Sequence, residues 1–192
     1  MNTNDGKRMI PKVILAIMGA TLVLGCVQTT NVSAPSVVSA GDAFTVVVTS
    51  EATDTGGVDY AWLAIMVPNG WEVVWGLYSG PGFSGVLSPA LPDTAVVIVD
   101  ALEEALPSPP WSFWSVLTTD GPVDGEYGSV WSSTALIQTD ELEGPVVLQL
   151  FSGVVDDGVF FDEPAFPCSL TVLPLALSQE TWGRIKAGFG VD

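Results

Sequence analysis

Val58-Asp59-Tyr60-Ala61-Trp62-Leu63-Ala64-Ile65-Met66-Val67 is the longest strand candidate in the chain, and it decides the fold. Successive side chains of a strand point to opposite faces. Even-numbered residues from Tyr60 to Met66 therefore share one face, and odd-numbered residues from Ala61 to Val67 share the other. Both faces are apolar, whereas a strand of a half-open antiparallel sheet has one polar face. The pattern predicts a central strand that is covered on both sides or lies beneath a flap.

The neighbouring strand candidates are short, β-branched and bounded by Gly, Pro, Asn and Asp. Phe44, Val46 and Val48 share one face at period two. Residues 68–70 read Pro-Asn-Gly, a tight-turn signal that predicts a hairpin between residues 58–67 and 71–78. The predicted strands cover residues 43–49, 58–67, 71–78, 95–99, 111–117, 130–138, 146–155 and 168–175.

Helix is predicted in few places. Residues 101–106 suit one or two helical turns, which Pro107 ends. Residues 79–85, rich in Gly and Ser, are predicted to be a loop. Many short strands with hardly any helix indicate an all-β fold, an antiparallel β-sandwich.

Two stretches carry a resemblance to a known family. Residues 39–46, Ser-Ala-Gly-Asp-Ala-Phe-Thr-Val, resemble the entry to the second strand of secreted bacterial immunoglobulin-like and cohesin-like domains. Residues 169–173, Ser-Leu-Thr-Val-Leu, resemble the last strand of those domains. The resemblance implies an immunoglobulin-like sandwich, which we assign to residues 35–176.

The charge of the chain is strongly unbalanced. The 192 residues carry 22 Asp and Glu, 5 Lys and Arg and no His, for a formal net charge of −17. From Cys26 to Gly183 there is no basic residue, so the carboxylates must be solvated, screened by salt or bound to metal cations. Nucleic acid is excluded as a partner, because affinity for phosphate comes from Lys and Arg.

The N-terminal region has the pattern of a secretory signal. Lys7, Arg8 and Lys12 precede an uncharged apolar run that ends in Leu22-Val23-Leu24-Gly25-Cys26. Residues 22–26 resemble the lipobox of bacterial lipoproteins. The resemblance implies removal of residues 1–25, a lipid on Cys26 that holds the protein at a membrane, and a tether over residues 26–34.

Val27 follows the cysteine in place of the Asp that goes with inner-membrane retention, so the resemblance implies the outer membrane. Two alternatives stay open: cleavage after Ala34, which would give a secreted protein, and an uncleaved anchor.

The C-terminal residues 177–192 form a second unit of the sequence. Ser178 suits a helix N-cap, and Trp182, Ile185 and Phe189 would then share one face of a short helix. Arg184 and Lys186 lie outside that face. The pattern Trp-Gly-x-Ile-Lys is similar to the tails of uncharacterised secreted bacterial β-proteins, which implies docking or sorting. A helix that packs on the sandwich is the alternative.

Residues for catalysis are scarce. The absence of His excludes Ser-His-Asp and Cys-His nucleophiles and His-based zinc sites. Paired carboxylates for glycoside hydrolysis stay open in so acidic a chain. With lipidated Cys26, Cys168 is a lone thiol, either buried or in an intermolecular disulfide. We expect a protein that is not an enzyme.

Two kinds of ligand site are predicted. Acidic residues in two loops suit calcium, which binds oxygen ligands on flexible loops: Asp120, Asp124 and Glu126 in one loop, Asp156 and Asp157 in the other. Aromatic side chains that could stack on sugar rings are Trp111, Trp114 and Trp131. We expect Trp62, Trp71 and Trp75 to fill the core, where aromatic residues contribute much of the buried area.

The sequence thus predicts a lipid-anchored envelope protein with an immunoglobulin-like binding or scaffolding domain and a short C-terminal helix. Its partner would be a protein or a polysaccharide. A carbohydrate-binding module that uses exposed Trp is the second interpretation, and a carboxylate-based hydrolase is the third.

Overall fold

The computed structural model describes residues 27–53, 60–80, 83–121, 123, 127–155, 159–161 and 164–174. These residues form eleven strands and one helix. In chain order they are β1 (Val27–Ser33), β2 (Val37–Ser39), β3 (Ala43–Ala52), β4 (Tyr60–Pro68), β5 (Glu72–Gly80), β6 (Phe83–Pro89), α1 (Pro92–Ala105), β7 (Ser112–Thr119), β8 (Val130–Gln138), β9 (Gly144–Val155), β10 (Val159–Phe161) and β11 (Phe166–Leu173).

The strands build two layers that one corner strand connects. Hydrogen-bonded neighbours follow the order β1, β3, β8, β5, β6, β7, β4, β9, β11, β2, and β10 pairs with β9. The first part of β6 pairs with β5 and its last residues pair with β7, so β6 passes from one layer to the other. Among the described strands, every pairing but that of β11 with β2 is antiparallel. The predicted all-β sandwich is confirmed, whereas the predicted C-terminal helix lies outside the described residues.

The main core lies between the two layers. Phe44, Val46 and Val48 of β3 are buried there, which confirms the predicted face. Leu63 and Ile65 of β4 meet them from the opposite layer. Hydroxyl groups from both layers meet in this core: Ser152 of β9 is hydrogen-bonded to Thr29 of β1 at 2.7 Å and accepts a hydrogen bond from Ser50 of β3 at 2.9 Å.

Strand β4 is buried on both faces, as its sequence predicts. It pairs with β7 on one side and β9 on the other. Its outer side chains Trp62, Ala64 and Met66 form a second core with Ile98 and Leu102 of α1. The outer face of a sheet as apolar as this one needs a cover, and α1 supplies it.

The strand predicted at residues 95–99 is wrong, because a helix occupies this stretch. Residues 95–99 were expected to form a strand, and only residues 101–106 a helical turn, but α1 runs from Pro92 to Ala105. Pro92 lies in the first turn, where its missing N–H is not needed. Ile98 and Leu102 are four residues apart, so both point from one helix face into the second core.

The predicted hairpin between residues 58–67 and 71–78 is wrong. β4 pairs with β7 and β9, whereas β5 pairs with β6 and β8, so the turn at residues 68–70 connects the two layers. The local hairpin is instead β5–β6, in which Gly80 lies opposite Phe83. Part of the predicted loop 79–85 is therefore strand.

Residues 27–33, expected to lie in a tether, form strand β1 on the edge of the first layer. β1 pairs antiparallel with β3, with a shift in register between Thr29 and Asn31. Val27 is buried and belongs to the main core. The β-branched residues of this stretch explain its place in a sheet. Among the described residues, no helix has the length and apolar character needed to cross a membrane.

Candidate functional site

A cleft around Trp111 lies at one end of the second layer. Met66 of β4 pairs with Trp114 of β7 and with Gln149 of β9, and Pro68 pairs with Ser112. Trp111 and Val147 therefore flank the end of β4. The cleft has a volume of about 510 Å³, within the range of roughly 300–1,000 Å³ typical of ligand sites. Its lining residues are Pro68, Asn69, Trp111, Leu142, Pro145, Val146 and Val147.

Hydrogen bonds hold Trp111 in place on a proline-rich turn. The Asn69 backbone N–H donates to the Trp111 carbonyl at 2.9 Å, and the Asn69 side-chain amide donates to the Pro110 carbonyl at 3.0 Å. The Ser112 N–H donates to the Pro109 carbonyl at 2.9 Å. Two prolines with fixed φ precede Trp111, so little backbone freedom remains to be lost on binding.

The opposite wall of the cleft depends on Asp140. One oxygen of its carboxylate, Oδ1, accepts the Trp71 indole N–H at 3.1 Å and the Leu142 N–H at 2.8 Å. Gly70 makes room for this carboxylate, because a Cβ at residue 70 would overlap Asp140. Leu142 is thereby held at the cleft with a partly exposed side chain.

The chemistry of the cleft is that of an uncharged apolar ligand site. No lining residue is charged. The Trp111 side chain is 59% exposed and Val147 46%, so both offer apolar surface to a ligand. Exposed Glu141 and Glu143 flank Leu142 in the chain, so carboxylates stand beside the cleft. The site can therefore bind an apolar group, and its edge favours a cation next to that group.

The division of the other tryptophans into buried and exposed side chains differs in part from the prediction. Trp114 and Trp131 are 6% and 4% exposed, so neither offers a ring face to a sugar, and of the three predicted stacking residues only Trp111 is exposed. Trp62 and Trp71 are buried, as predicted. Trp75 is 44% exposed, so its predicted place in the core is wrong.

Of the predicted calcium ligands, the structure describes Asp120 alone. Asp124, Glu126, Asp156 and Asp157 lie outside the described residues, so the calcium site stays a prediction. The described part of the chain holds no cluster of three or more metal-ligating His, Cys, Asp or Glu side chains.

Asp120 has a protein partner. Its carboxylate accepts a hydrogen bond from the Tyr78 hydroxyl at 3.1 Å. Burial, helped by that hydrogen bond and by the carboxylate charge, raises the pKa of Tyr78. Gly85 allows this approach, because a Cβ there would lie 2.5 Å from the Asp120 oxygen. Asp120 also lines a second cavity of about 420 Å³ with Tyr60 and Leu91.

Cys26 and the tail residues Trp182, Ile185 and Phe189 also lie outside the described residues. Cys168, on β11, is half-buried and has no disulfide partner in the described part of the chain. Burial raises the pKa of its thiol, which lowers its reactivity.

Sequence reasoning found Trp111 but missed the rest of its cleft. Pro68 and Asn69 were recognised as turn residues, which indicates nothing about a ligand. Leu142 and Val147 come near Trp111 only because β9 lies beside β4. That neighbour relation is a property of strand order and has no local sequence signal.

Comparisons with known proteins find likenesses among solved structures alone. No protein-family model matches the chain, and no curated protein matches it. Among solved structures, the full-length major pilin SpaD of Corynebacterium diphtheriae is similar at 12% identity and a TM-score of 0.44. That match covers 77% of this chain and 33% of the pilin, so the chain spans about one third of the pilin's length.

Two further structures are similar. The cohesin module of a family 33 glycoside hydrolase from Clostridium perfringens ATCC13124 matches at 12% identity and a TM-score of 0.41, over 79% of this chain and 99% of the module. AvmM, which catalyzes macrocyclization in alchivemycin A biosynthesis, matches at 12% identity and a TM-score of 0.41, over 77% of this chain and 92% of AvmM.

Proposed function

We propose that this chain is a non-enzymatic binding domain of the bacterial cell envelope, with the Trp111 cleft as its binding site. One observation carries the proposal: an exposed tryptophan on a hydrogen-bonded turn stands in an uncharged cleft of about 510 Å³. Tryptophan is prominent among residues that dominate binding energy, and a preformed site loses little entropy on binding.

The walls favour a protein segment as the ligand. Leu142, Pro145 and Val147 offer apolar surface, and the side-chain amide of Asn69 already donates to Pro110. A sugar needs several hydrogen-bonding groups beside its stacking ring, whereas an apolar side chain of a peptide needs none. The acidic surface of the domain would repel acidic partners. We therefore infer an uncharged or basic protein segment with a large apolar side chain.

Selection of peptides on the full-length protein tests this proposal. We expect selected peptides to share an aromatic or large aliphatic residue and to lose at least about tenfold in affinity with Trp111→Ala. Trp75→Ala is the matched control, because Trp75 is similarly exposed but lies on the other layer. Titration calorimetry measures both variants. Peptides that bind equally well to wild type and Trp111→Ala would exclude the cleft as the binding site.

A carbohydrate is the second candidate, because the exposed Trp111 ring could stack on a sugar. If a carbohydrate is the ligand, we expect neutral polysaccharides to change the tryptophan fluorescence of the wild type. The same polysaccharides should leave the fluorescence of Trp111→Ala unchanged. A panel of neutral polysaccharides that leaves the fluorescence unaltered would remove this candidate.

The envelope location rests on the sequence of residues 22–26. We propose that residues 1–25 are removed and that Cys26 carries a lipid, which places the domain at a membrane, most simply the outer one. Intact mass of protein extracted from bacterial membranes is the measurement. A mass that fits cleavage before Cys26 plus acyl chains is expected, and an unmodified chain cut after Ala34 would show a secreted protein instead.

A further inference from the structure

We propose that the cavity beside Tyr60 is a second binding site of this domain and that its ligand is an uncharged sugar residue of a glycan. The cavity, called the Tyr60 cavity below, has a volume of about 420 Å³. Tyr60 begins β4, and Pro68, a wall of the Trp111 cleft, ends it, so the two sites lie roughly 26 Å apart along this strand. The inference goes beyond the proposed function, because it assigns a ligand to a different site.

Three neighbouring strands place polar side chains on one face beside Tyr60. Thr118 of β7 pairs with Trp62 of β4 and with Ser88 of β6. Directly paired residues of antiparallel strands share a face, with Cβ atoms about 5 Å apart. Thr118 and Ser88 are therefore neighbours, and Tyr60, two residues before Trp62, projects from the same face. All three line the cavity, which strand register assembles.

The remaining polar groups of the cavity come from α1 and from the residue after β7. Thr94 lies in the first turn of α1, where no side chain of the described residues caps the helix. The Asp120 N–H donates to the Val86 carbonyl at 3.1 Å. The Tyr78 hydroxyl donates to Oδ1 of Asp120 at 3.1 Å, and Oδ2 takes no part in that bond. The carboxylate is thereby held in place as a preformed acceptor.

Apolar surface stands beside these polar groups. The Tyr60 side chain is 47% exposed and that of Leu91 75%, and both line the cavity. An aromatic ring can pack on the apolar face of a sugar while hydroxyls and a carboxylate bond to the sugar hydroxyls. The Tyr60 cavity offers both kinds of contact. Among the described residues that line the Trp111 cleft, only Asn69 has a polar side chain, and its amide already donates to Pro110.

The charges at the cavity favour a neutral ligand. Asp120 repels an anion, as does the rest of this acidic chain. A cation would meet Asp120 on one side but the positive end of the α1 dipole, at Thr94, on the other. The hydroxyls of Ser, Thr and Tyr both donate and accept hydrogen bonds, as the hydroxyls of a sugar do. An uncharged ligand with many hydroxyls therefore matches the cavity.

Ligand-observed NMR on the full-length protein tests this inference. The protein is purified in a detergent without a sugar headgroup, and saturation transfer is measured to neutral oligosaccharides of glucose, galactose, mannose and N-acetylglucosamine. We expect at least one of them to bind, and its affinity to fall at least about tenfold with Tyr60→Ala. Tyr60→Phe keeps the ring and should keep most of the affinity.

Matched variants separate the cavity from the rest of the surface. Thr118→Val removes a cavity hydroxyl and should weaken binding severalfold. Thr45→Val, at an exposed residue of β3 in the other layer, should leave the affinity unchanged. Tyr127→Ala should also leave it unchanged, because Tyr127 is 70% exposed but does not line the cavity.

The charge of the ligand is tested with derivatives of whichever sugar binds. At about 0.15 M salt, its neutral monosaccharide should compete better than the corresponding amino sugar or uronic acid. An amino sugar that competes better would overturn the assignment of an uncharged ligand.

Two other results would overturn the site itself. The first is that no oligosaccharide binds, or that one binds equally well to wild type, Tyr60→Ala and Thr118→Val. The second is a sugar whose binding is lost with Trp111→Ala but kept with Tyr60→Ala, because that sugar would occupy the Trp111 cleft. Neither result changes what peptide selection shows about Trp111, so the two sites are tested separately.

Discussion

Gly70 supports the site at the scale of a single residue. Its φ is +93°, in the left-handed region that residues with a Cβ adopt at a cost, and a Cβ there would also overlap the Asp140 carboxylate. The Asp140 carboxylate in turn holds Trp71 and Leu142. Strain at residue 70 would therefore reach the wall of the cleft.

We expect Gly70→Ala to lower the free energy of unfolding by about 1–3 kcal/mol or more, and to weaken ligand binding. Two glycines separate the causes. Gly128 has a φ of +78° but open space around it, and Gly121 has open space without a positive φ. Urea unfolding should rank the losses Gly70→Ala, then Gly128→Ala, then Gly121→Ala. Equal losses at residues 70 and 128 would show that the overlap with Asp140 costs nothing.

The exposure of single tryptophans could not be predicted from the sequence. The register shifts between Val73 and Trp75, as a β-bulge does, and a bulge reverses the alternation of side chains that follows it. Trp75 is thereby turned outward. Trp111 precedes β7 and lies in a turn, whereas Trp114 packs beneath α1, so two tryptophans three residues apart differ in exposure.

Helix α1 shows how an element is decided by its place in the fold. Val96, Val97, Ile98 and Val99 favour a strand by local propensity, which is weak and is overridden by tertiary packing. The sequence correctly indicated the need for a cover, because both faces of β4 are apolar. It did not indicate which residues would form that cover, since nothing local links residues 92–105 to residues 60–68.

We expect Leu102→Ala to lower the free energy of unfolding by about 2–5 kcal/mol, because Leu102 is fully buried against the outer face of β4. Val97→Ala, at a residue of α1 that is 54% exposed, is the matched control and should change stability by less than about 0.5 kcal/mol. Equal effects in urea unfolding would show that α1 does not bury its apolar face on the sheet.

At the scale of the whole molecule, the absence of basic residues from Cys26 to Gly183 affects stability. Carboxylates repel each other across the surface, and salt shortens the range of that repulsion from about 30 Å at 0.01 M to about 8 Å at 0.15 M. We expect the urea midpoint to rise between these salt concentrations. Sodium and tetramethylammonium chloride should act alike, whereas a larger rise with calcium at equal ionic strength would point to the predicted metal site. A midpoint that ignores salt would contradict this account.

The first strand has a consequence for how the domain would stand on a membrane. β1 begins at Val27, next to Cys26, and Val27 pairs with Ala52, the last residue of β3. Ala43, the first residue of β3, lies at the other end of that strand. Ala43 pairs with Gln138, near Asp140 and the Trp111 cleft. A lipid on Cys26 would thus be joined to the sandwich with almost no slack. The lipid and the mouth of the cleft would then lie about 30 Å apart, the length of a ten-residue strand, so a partner in the cleft could be reached that far from the point of attachment.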